Sequence, residues 1–152
     1  MSEIIIRKGK ADDLDTLVGF MIAMAKETED LSLQADVLKP GIKAALVDSH
    51  KGVYYIAEIE GKIAGSLMTT YEWSDWRNAW ILWVQSVYTQ PDFRGKGVYK
   101  ALYQNLVSKV ETGEYAGIRL YVDKSNTNAQ KVYEKLGMNG EHYKFYEWMA
   151  DY

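Results

Sequence analysis

Apolar positions along the chain change their spacing several times, and each change marks an element. Residues 3–7 carry Ile4, Ile5 and Ile6, a β-branched run that predicts a first strand. Leu14, Leu17, Val18, Met21, Ile22 and Ala25 then recur at helical spacing, one apolar face of a helix of about 15 residues. Asp12, Asp13 and Asp15 crowd its start, where carboxylates suit the helix dipole. Pro40, read as a first-turn residue, predicts a second helix over 40–48, ended by Gly52.

The middle of the chain is β-prone. Two apolar runs, 53–59 and 63–71, flank Glu60-Gly61-Lys62 and predict a hairpin. Residues 73–78 are polar and aromatic and read as a loop, while 80–88 are apolar on both faces, as a buried central strand requires. After a break at Pro91-Asp92, the residues Val98, Ala101, Leu102, Leu106 and Val110 line the inner face of another long helix. Residues 118–122 read as a strand. Residues 126–136 read as a helix with Ala129, Val132, Tyr133 and Leu136 on one face and Gly137 as its C-cap. Residues 143–149 read as a final strand. No repeat, low-complexity segment or linker interrupts the series, so residues 1–152 read as one α+β domain.

Composition narrows the chemistry. The chain of 152 residues is long enough for a real core. It has no cysteine, which excludes disulfides, thiolate metal sites and a cysteine nucleophile. Two histidines, His50 and His142, make a histidine-based metal site an unpromising reading, and none is expected. A net charge of −3 argues against nucleic acid as a general partner and is compatible with a cationic small substrate. The start of the chain lacks a signal-peptide layout, and no uncharged run reaches the roughly 18 residues of a membrane helix; a cytoplasmic protein without membrane contact is the expectation. Aromatics are abundant, with 5 Trp and 12 Tyr.

The stretch with the most chemistry is the turn Arg94-Gly95-Lys96-Gly97 between the apolar strand and the helix at Val98. Glycines allow a close approach of backbone to ligand, and a helix N-terminus adds partial positive charge, an arrangement suited to phosphate. Seen alone, the glycine pair reads first as a plain tight turn before a helix.

With Asn126-x-x-Ala129-x-x-x-Tyr133-x-x-x-Gly137 about thirty residues on, the turn resembles that of the GNAT family of N-acetyltransferases, and the order of elements is similar over nearly the whole chain. The resemblance implies a single domain with a mixed, mostly antiparallel central sheet flanked by about four helices. It implies acetyl-coenzyme A as cosubstrate, with pyrophosphate on the backbone of Arg94, Gly95, Lys96, Gly97, Val98 and Tyr99. The pantetheine arm would lie along Val87, Tyr88 and Thr89, and Asn126 would hydrogen-bond the cofactor. The family's phosphate loop usually ends in glycine or alanine where Tyr99 stands here; backbone donation survives that change.

Three roles remain to be filled. Tyr133 matches the tyrosine that the family uses as general acid to the leaving thiolate; from spacing alone it reads first as a core aromatic. Many relatives place a glutamate base on the central strand, but the aligned position holds Gln85, which orients a water and takes no proton at neutral pH. Glu72, Asp75 and Glu27 stand as candidate bases, each also readable as a solvated carboxylate. For the acceptor, resemblance points to Glu27, Glu29, Asp30, Glu72, Trp73, Asp75 and Trp76, whose carboxylates and aromatic faces suit a cation. That layout is loosely similar to diamine acetyltransferases, so a small primary amine of polyamine type is the expected partner. The tryptophans read equally as core or as a dimer surface, a homodimer being the commonest assembly. Other readings are a non-catalytic acyl-coenzyme A sensor, or an acetyltransferase of peptide N-termini or lysines. A Walker-type nucleotide site lacks its Gly-Lys-Ser/Thr ending.

Overall fold

A computed structural model describes residues 2–150. Eleven elements include the strands β1 (Ile4–Lys8), β2 (Val53–Ile59), β3 (Lys62–Ser74), β4 (Ala79–Thr89) and β5 (Gly117–Leu120). The helices are α1 (Leu14–Glu29), α2 (Ala35–Val47), α3 (Val98–Glu111) and α4 (Thr127–Lys135), with short 3-10 turns at Ala11–Asp13 and Pro91–Phe93. The strands form one sheet in the order β1-β2-β3-β4-β5. The first four pair antiparallel in chain order. β5 arrives beside β4 through the crossover helix α3, which makes the sheet mixed. The fold is α+β, as expected.

The chain forms two compact units, residues 1–119 and 120–152. In the first, helices cover both faces of the sheet, and strand alternation sorts the side chains between them. Tyr54 and Ile56 of β2 and Tyr88 of β4 join Leu17, Phe20 and Met21 of α1 and Ile42 and Ala45 of α2 in one core cluster. Tyr55, next along β2, points the other way, with Lys109 of α3 over its ring at 5.9 Å. Leu102 and Leu106 of α3 are completely buried. A side chain of that size contributes roughly 1.5–3 kcal/mol on burial, so these three layers carry the first unit.

Two boundaries differ from expectation. α2 begins at Ala35, five residues before Pro40, which sits inside the helix. Its ring removes one intrahelical donor, but Gln34 O accepts from Val37 and Leu38 at 3.1 and 2.9 Å and closes the first turn ahead of it. Burial of Leu38 and Ile42 against the core then outweighs the lost bond. β3 extends to Ser74 and pairs Trp73 with Trp80, so residues 73 and 74 are strand and the turn shrinks to 75–78. Edge-on packing of those two indoles, centroids 5.2 Å apart, favours the longer ladder.

In the second unit, Asn126 caps α4 by accepting from Ala129 N at 3.1 Å. Gly137, at φ +94°, ends that helix, and Met138 N donates to Tyr133 O at 3.0 Å across the turn. The expected strand over 143–149 does not form: residues 138–150 adopt neither helix nor strand. β-prone residues make a strand only against a partner edge, and no ladder hydrogen bond reaches them among the described residues. Tyr121 and Phe145 instead stack at 4.7 Å within the unit.

Candidate functional site

β4 carries the irregularity on which the site is built. Ser66 of β3 faces Tyr88, but Met68, two residues on, faces Gln85, three residues back, so β4 holds one extra residue there. Ser86 takes it up at φ +56°, unusual for a non-glycine residue. The bulge sends Gln85, Ser86 and Tyr88 toward the α1–α2 side. Gln85 Nε2 donates to Thr70 Oγ1 at 3.1 Å, which leaves its carbonyl oxygen available as an acceptor. Across from Tyr88, the wholly buried Ser66 Oγ has no hydrogen-bond partner among the described residues. A cavity of about 350 Å³ opens between α1, α2 and β2–β4, with Ser86 on its wall.

β4 then runs into the glycine turn. Gly65 allows this junction: a Cβ there would stand 2.6 Å from Tyr88 O and 3.0 Å from a Val98 methyl, so only glycine lets β3, the end of β4 and the start of α3 meet. Gln90 fastens the same corner, its Nε2 donating to Ile63 O at 2.6 Å and its N to Ala64 O at 2.8 Å. Gly95 and Gly97 have φ of +78° and +82°, and Gly97 is the N-cap of α3. Among the described residues, no group accepts from the amides of Gly95, Lys96 or Gly97. First-turn helix amides also lack intrahelical acceptors. β5 is only four residues long and starts where Ala116 N bonds Trp80 O, so it ends before the last turn of β4. Among the described residues, Val87, Tyr88 and Thr89 therefore keep one backbone edge without a strand neighbour. An anionic, elongated ligand with amide groups fits these features.

The side chains of the turn do other work. Arg94 folds back: Nη2 donates to Glu27 Oε2 at 2.8 Å and Nε to Thr89 O at 3.0 Å, with the guanidinium 5.6 Å from the Tyr88 ring centre. Tyr88 in turn donates to Glu27 Oε1 at 3.4 Å, and burial first, then Glu27, pushes its phenol above its ordinary value. Lys96 lies over the Phe93 ring. Tyr99 packs against Tyr103, ring centres 6.1 Å apart.

Three acceptor-side residues do not converge as expected. Glu27 is engaged by Arg94, Glu29 is exposed at the end of α1, and Trp76 stands 90% exposed on the hairpin turn. None of them lines the cavity. Glu72 accepts from Trp83 Nε1 at 2.7 Å and from Arg119 at 2.9 Å, and these bonds hold its carboxyl below its ordinary value. A carboxylate stabilised in that way is a poor base, which counts against its catalytic assignment. Asp75 caps the following turn through Trp76 N. In the second unit, burial raises the Tyr133 phenol, which keeps it protonated at neutral pH. Sequence reasoning missed Gly65 and Ser86. A glycine inside an apolar strand was the available signal for the first; a serine at positive φ gives none.

No group of three or more histidine, aspartate or glutamate residues among the described ones could hold a metal ion. No helix among them is long and apolar enough to cross a membrane.

Fold and turn define a class: an α+β protein whose main-chain amides, at the carboxyl end of a bulged central strand, lack acceptors among the described residues. The model of the acetyltransferase (GNAT) family matches residues 12–138. The crystal structure of a possible acetyltransferase from Clostridium difficile 630 is 43% identical, over 98% of this chain and 99% of that one, with a TM-score of 0.91. The chain belongs to the acetyltransferase (GNAT) family, a family of acyl-transferring enzymes. A predicted acetyltransferase with acetyl-CoA from Clostridium acetobutylicum shares the fold at 19% identity, over 95% of this chain and 96% of that one, with a TM-score of 0.74. Among curated proteins, acetyltransferase ECA0875 of Pectobacterium atrosepticum is 34% identical over 84 residues, 55% of this chain and 55% of that protein. The chain spans about half or less of the curated relatives it matches, 55% and 38% of their lengths.

Proposed function

We propose that the chain is an acetyl-coenzyme A-dependent N-acetyltransferase that acts on a primary amine of a small molecule, with residues 1–152 working as one domain. The observation that carries this reading is the amide-rich turn at Gly95–Gly97, placed directly after a bulged strand with a free backbone edge. The family model runs across the boundary between the two units, which supports the single domain.

Amides of Gly95, Lys96, Gly97, Val98 and Tyr99 hold the diphosphate, helped by the α3 dipole. The backbone of Val87, Tyr88 and Thr89 holds the pantetheine arm, and Asn126, already the cap of α4, contacts the cofactor with its remaining hydrogen-bonding capacity. The thioester supplies the activated acetyl group: the amine nitrogen bonds to its carbonyl carbon, the carbon–sulfur bond breaks, and an N-substituted acetamide and free thiol result. The acceptor ammonium loses two protons in all. One leaves before attack through a water oriented by Gln85, whose carbonyl faces away from its bond to Thr70. Tyr133 gives a proton to the departing sulfur, since burial keeps its phenol protonated, and the second proton shed by the acylated nitrogen restores that phenol. Deprotonating an alkyl ammonium at pH 7 costs about 4 kcal/mol, three pK units at about 1.36 each, so that water must pass the proton onward to solvent. The absence of any cysteine to carry the acetyl group supports direct attack in a ternary complex.

The test is release of coenzyme A thiol from acetyl-coenzyme A across a panel of primary amines. Amine-dependent release with a matching acetamide product is expected. Thiol release no faster than hydrolysis with every amine would reduce the chain to an acyl-coenzyme A binder.

A further inference from the structure

Resting on that reaction, we infer that the acceptor is a primary amine carried on an uncharged hydrocarbon or aromatic body, and that it enters the cavity between α1, α2 and the sheet. The walls point to this. Met21 and Met24 of α1, Leu33, Leu38 and Ile42 of the α2 region, and Met68 of β3 supply most of the surface. Three thioethers among them form a wall that adapts to apolar shapes. No carboxylate lines the cavity among the described residues, and its single charged residue is the cation Lys51. Lys51 Nζ stands 3.8 Å from Asp48 and remains largely exposed at the rim. A second ammonium on the acceptor would therefore lose its water against methionine and leucine, with no carboxylate on the cavity wall and, at the mouth, Asp48 already paired with Lys51.

Polar features are few. Tyr54 lines the cavity, is 5% exposed, and its hydroxyl makes no hydrogen bond among the described residues. Burial raises that phenol, so it stays a donor. Ser86, on the bulge beside Gln85, lines the same space and puts the reacting end of the cavity at β4. The volume of about 350 Å³ falls within the range of small-ligand sites. Of the carboxylates that suggested a polyamine, Glu27 is engaged by Arg94, Glu72 by Arg119 and Trp83, and Asp30 by Lys26, while Glu29 and Asp75 lie outside the cavity lining.

The experiment compares kcat/KM for 2-phenylethylamine and hexylamine with that for putrescine and spermidine. It is paired with calorimetric binding of each amine to the coenzyme A-loaded protein. A preference of at least about tenfold for the monoamines is expected, roughly 1.4 kcal/mol. Gly41→Leu supplies the second arm: Gly41 lines the cavity, and a Cβ there meets nothing within 4 Å, so the variant narrows the space without crowding the helix. Its kcat/KM for the monoamines should fall about tenfold through KM, with acetyl-coenzyme A affinity unchanged. Faster turnover of putrescine or spermidine would overturn the apolar acceptor and leave the acetyltransferase standing. Monoamines that bind tightly, lose binding in Gly41→Leu and are never acetylated would keep the pocket and sink the reaction. Monoamines that neither bind nor react would sink the inference outright.

Discussion

Arg94 and Glu27, 67 residues apart in the chain, meet at 2.8 Å and tie the end of α1 to the turn before α3. The arginine side chain at the head of the glycine turn is thus spent on a carboxylate, and the carboxylate that sequence reasoning offered to a cation is spent on the arginine. Both side chains are close to half exposed, 49% and 42%, so solvent screens the pair. Exposed ion pairs contribute about 0.2–1 kcal/mol. Glu27→Gln and Arg94→Ala should each lower Tm by no more than about 4 °C. Their double variant should lose little more than either alone, a shortfall from additivity of roughly 0.2–1 kcal/mol. Full additivity in a thermal-denaturation cycle would show that the pair is not coupled.

Gly97 separates backbone strain from cofactor binding. At φ +82°, with nothing within 4 Å of an added Cβ, alanine fits in space but must adopt a left-handed backbone. That costs about 1–2 kcal/mol. Gly61, in the β2–β3 turn, has φ +76° and equally open surroundings. Gly97→Ala and Gly61→Ala should therefore lower Tm by similar amounts, roughly 2–8 °C. Only Gly97→Ala should also raise the Kd for acetyl-coenzyme A, by an order of magnitude or so, because its amide belongs to the proposed diphosphate cradle. Equal cofactor affinity in both variants would remove the turn from the binding site.

Why some of this was legible and some not comes down to range. The hairpin at Glu60-Gly61, the apolar faces of α1 and α3, and the Asn126 and Gly137 caps are local devices, written in spacing and turn chemistry. Pro40 misled because its preference for a first turn is real but weaker than the burial of Leu38 and Ile42. Residues 143–149 misled because a strand needs an edge to pair with, which composition does not show. The glycine turn could be found from its motif; the cavity could not. Its lining of Met21, Ile42, Tyr54 and Met68 reads from the sequence as ordinary core, and most of it also serves as core. The extra residue of β4 that sets Ser86 on the cavity wall shows only in the register against β3.

Tyr133 supplies a kinetic test of the proton donor. A positioned general acid contributes on the order of 10²–10⁴-fold. Tyr133→Phe should lower kcat by at least about 100-fold, while the Kd for acetyl-coenzyme A stays near that of the parent. The pH profile adds a second readout. Burial raises the phenol above 10.0, so the acid form persists through the alkaline range and kcat should hold until above about pH 10. An alkaline limb near pH 8, or unchanged kcat in Tyr133→Phe, would assign the proton to another group.

Asp13 makes stability depend on acid pH. Its carboxylate is only 4% exposed and takes two bonds from the Arg7 guanidinium, at 2.8 and 2.9 Å, and a third from Lys10 N at 2.8 Å. Arg7 also reaches Glu58 on β2, so the group anchors the start of α1 to the edge of the sheet. Arg7 foremost, then the Lys10 amide, outweighs burial and depresses the Asp13 carboxyl below its ordinary value. A depressed native value means that the unfolded chain binds the proton more readily. The stabilisation is then complete above the unfolded value of about 3.9 and is lost as pH falls through the lower, native one. Urea titrations should give a stability plateau above about pH 5 and a decline below about pH 4. Asp13→Asn keeps the shape but leaves Arg7 short of a counter-charge. It should cost about 3 kcal/mol at pH 7 and flatten the acid decline, because the group that titrated is gone. A variant that loses stability at pH 7 yet keeps the full slope below pH 4 would move the acid sensitivity to other carboxylates.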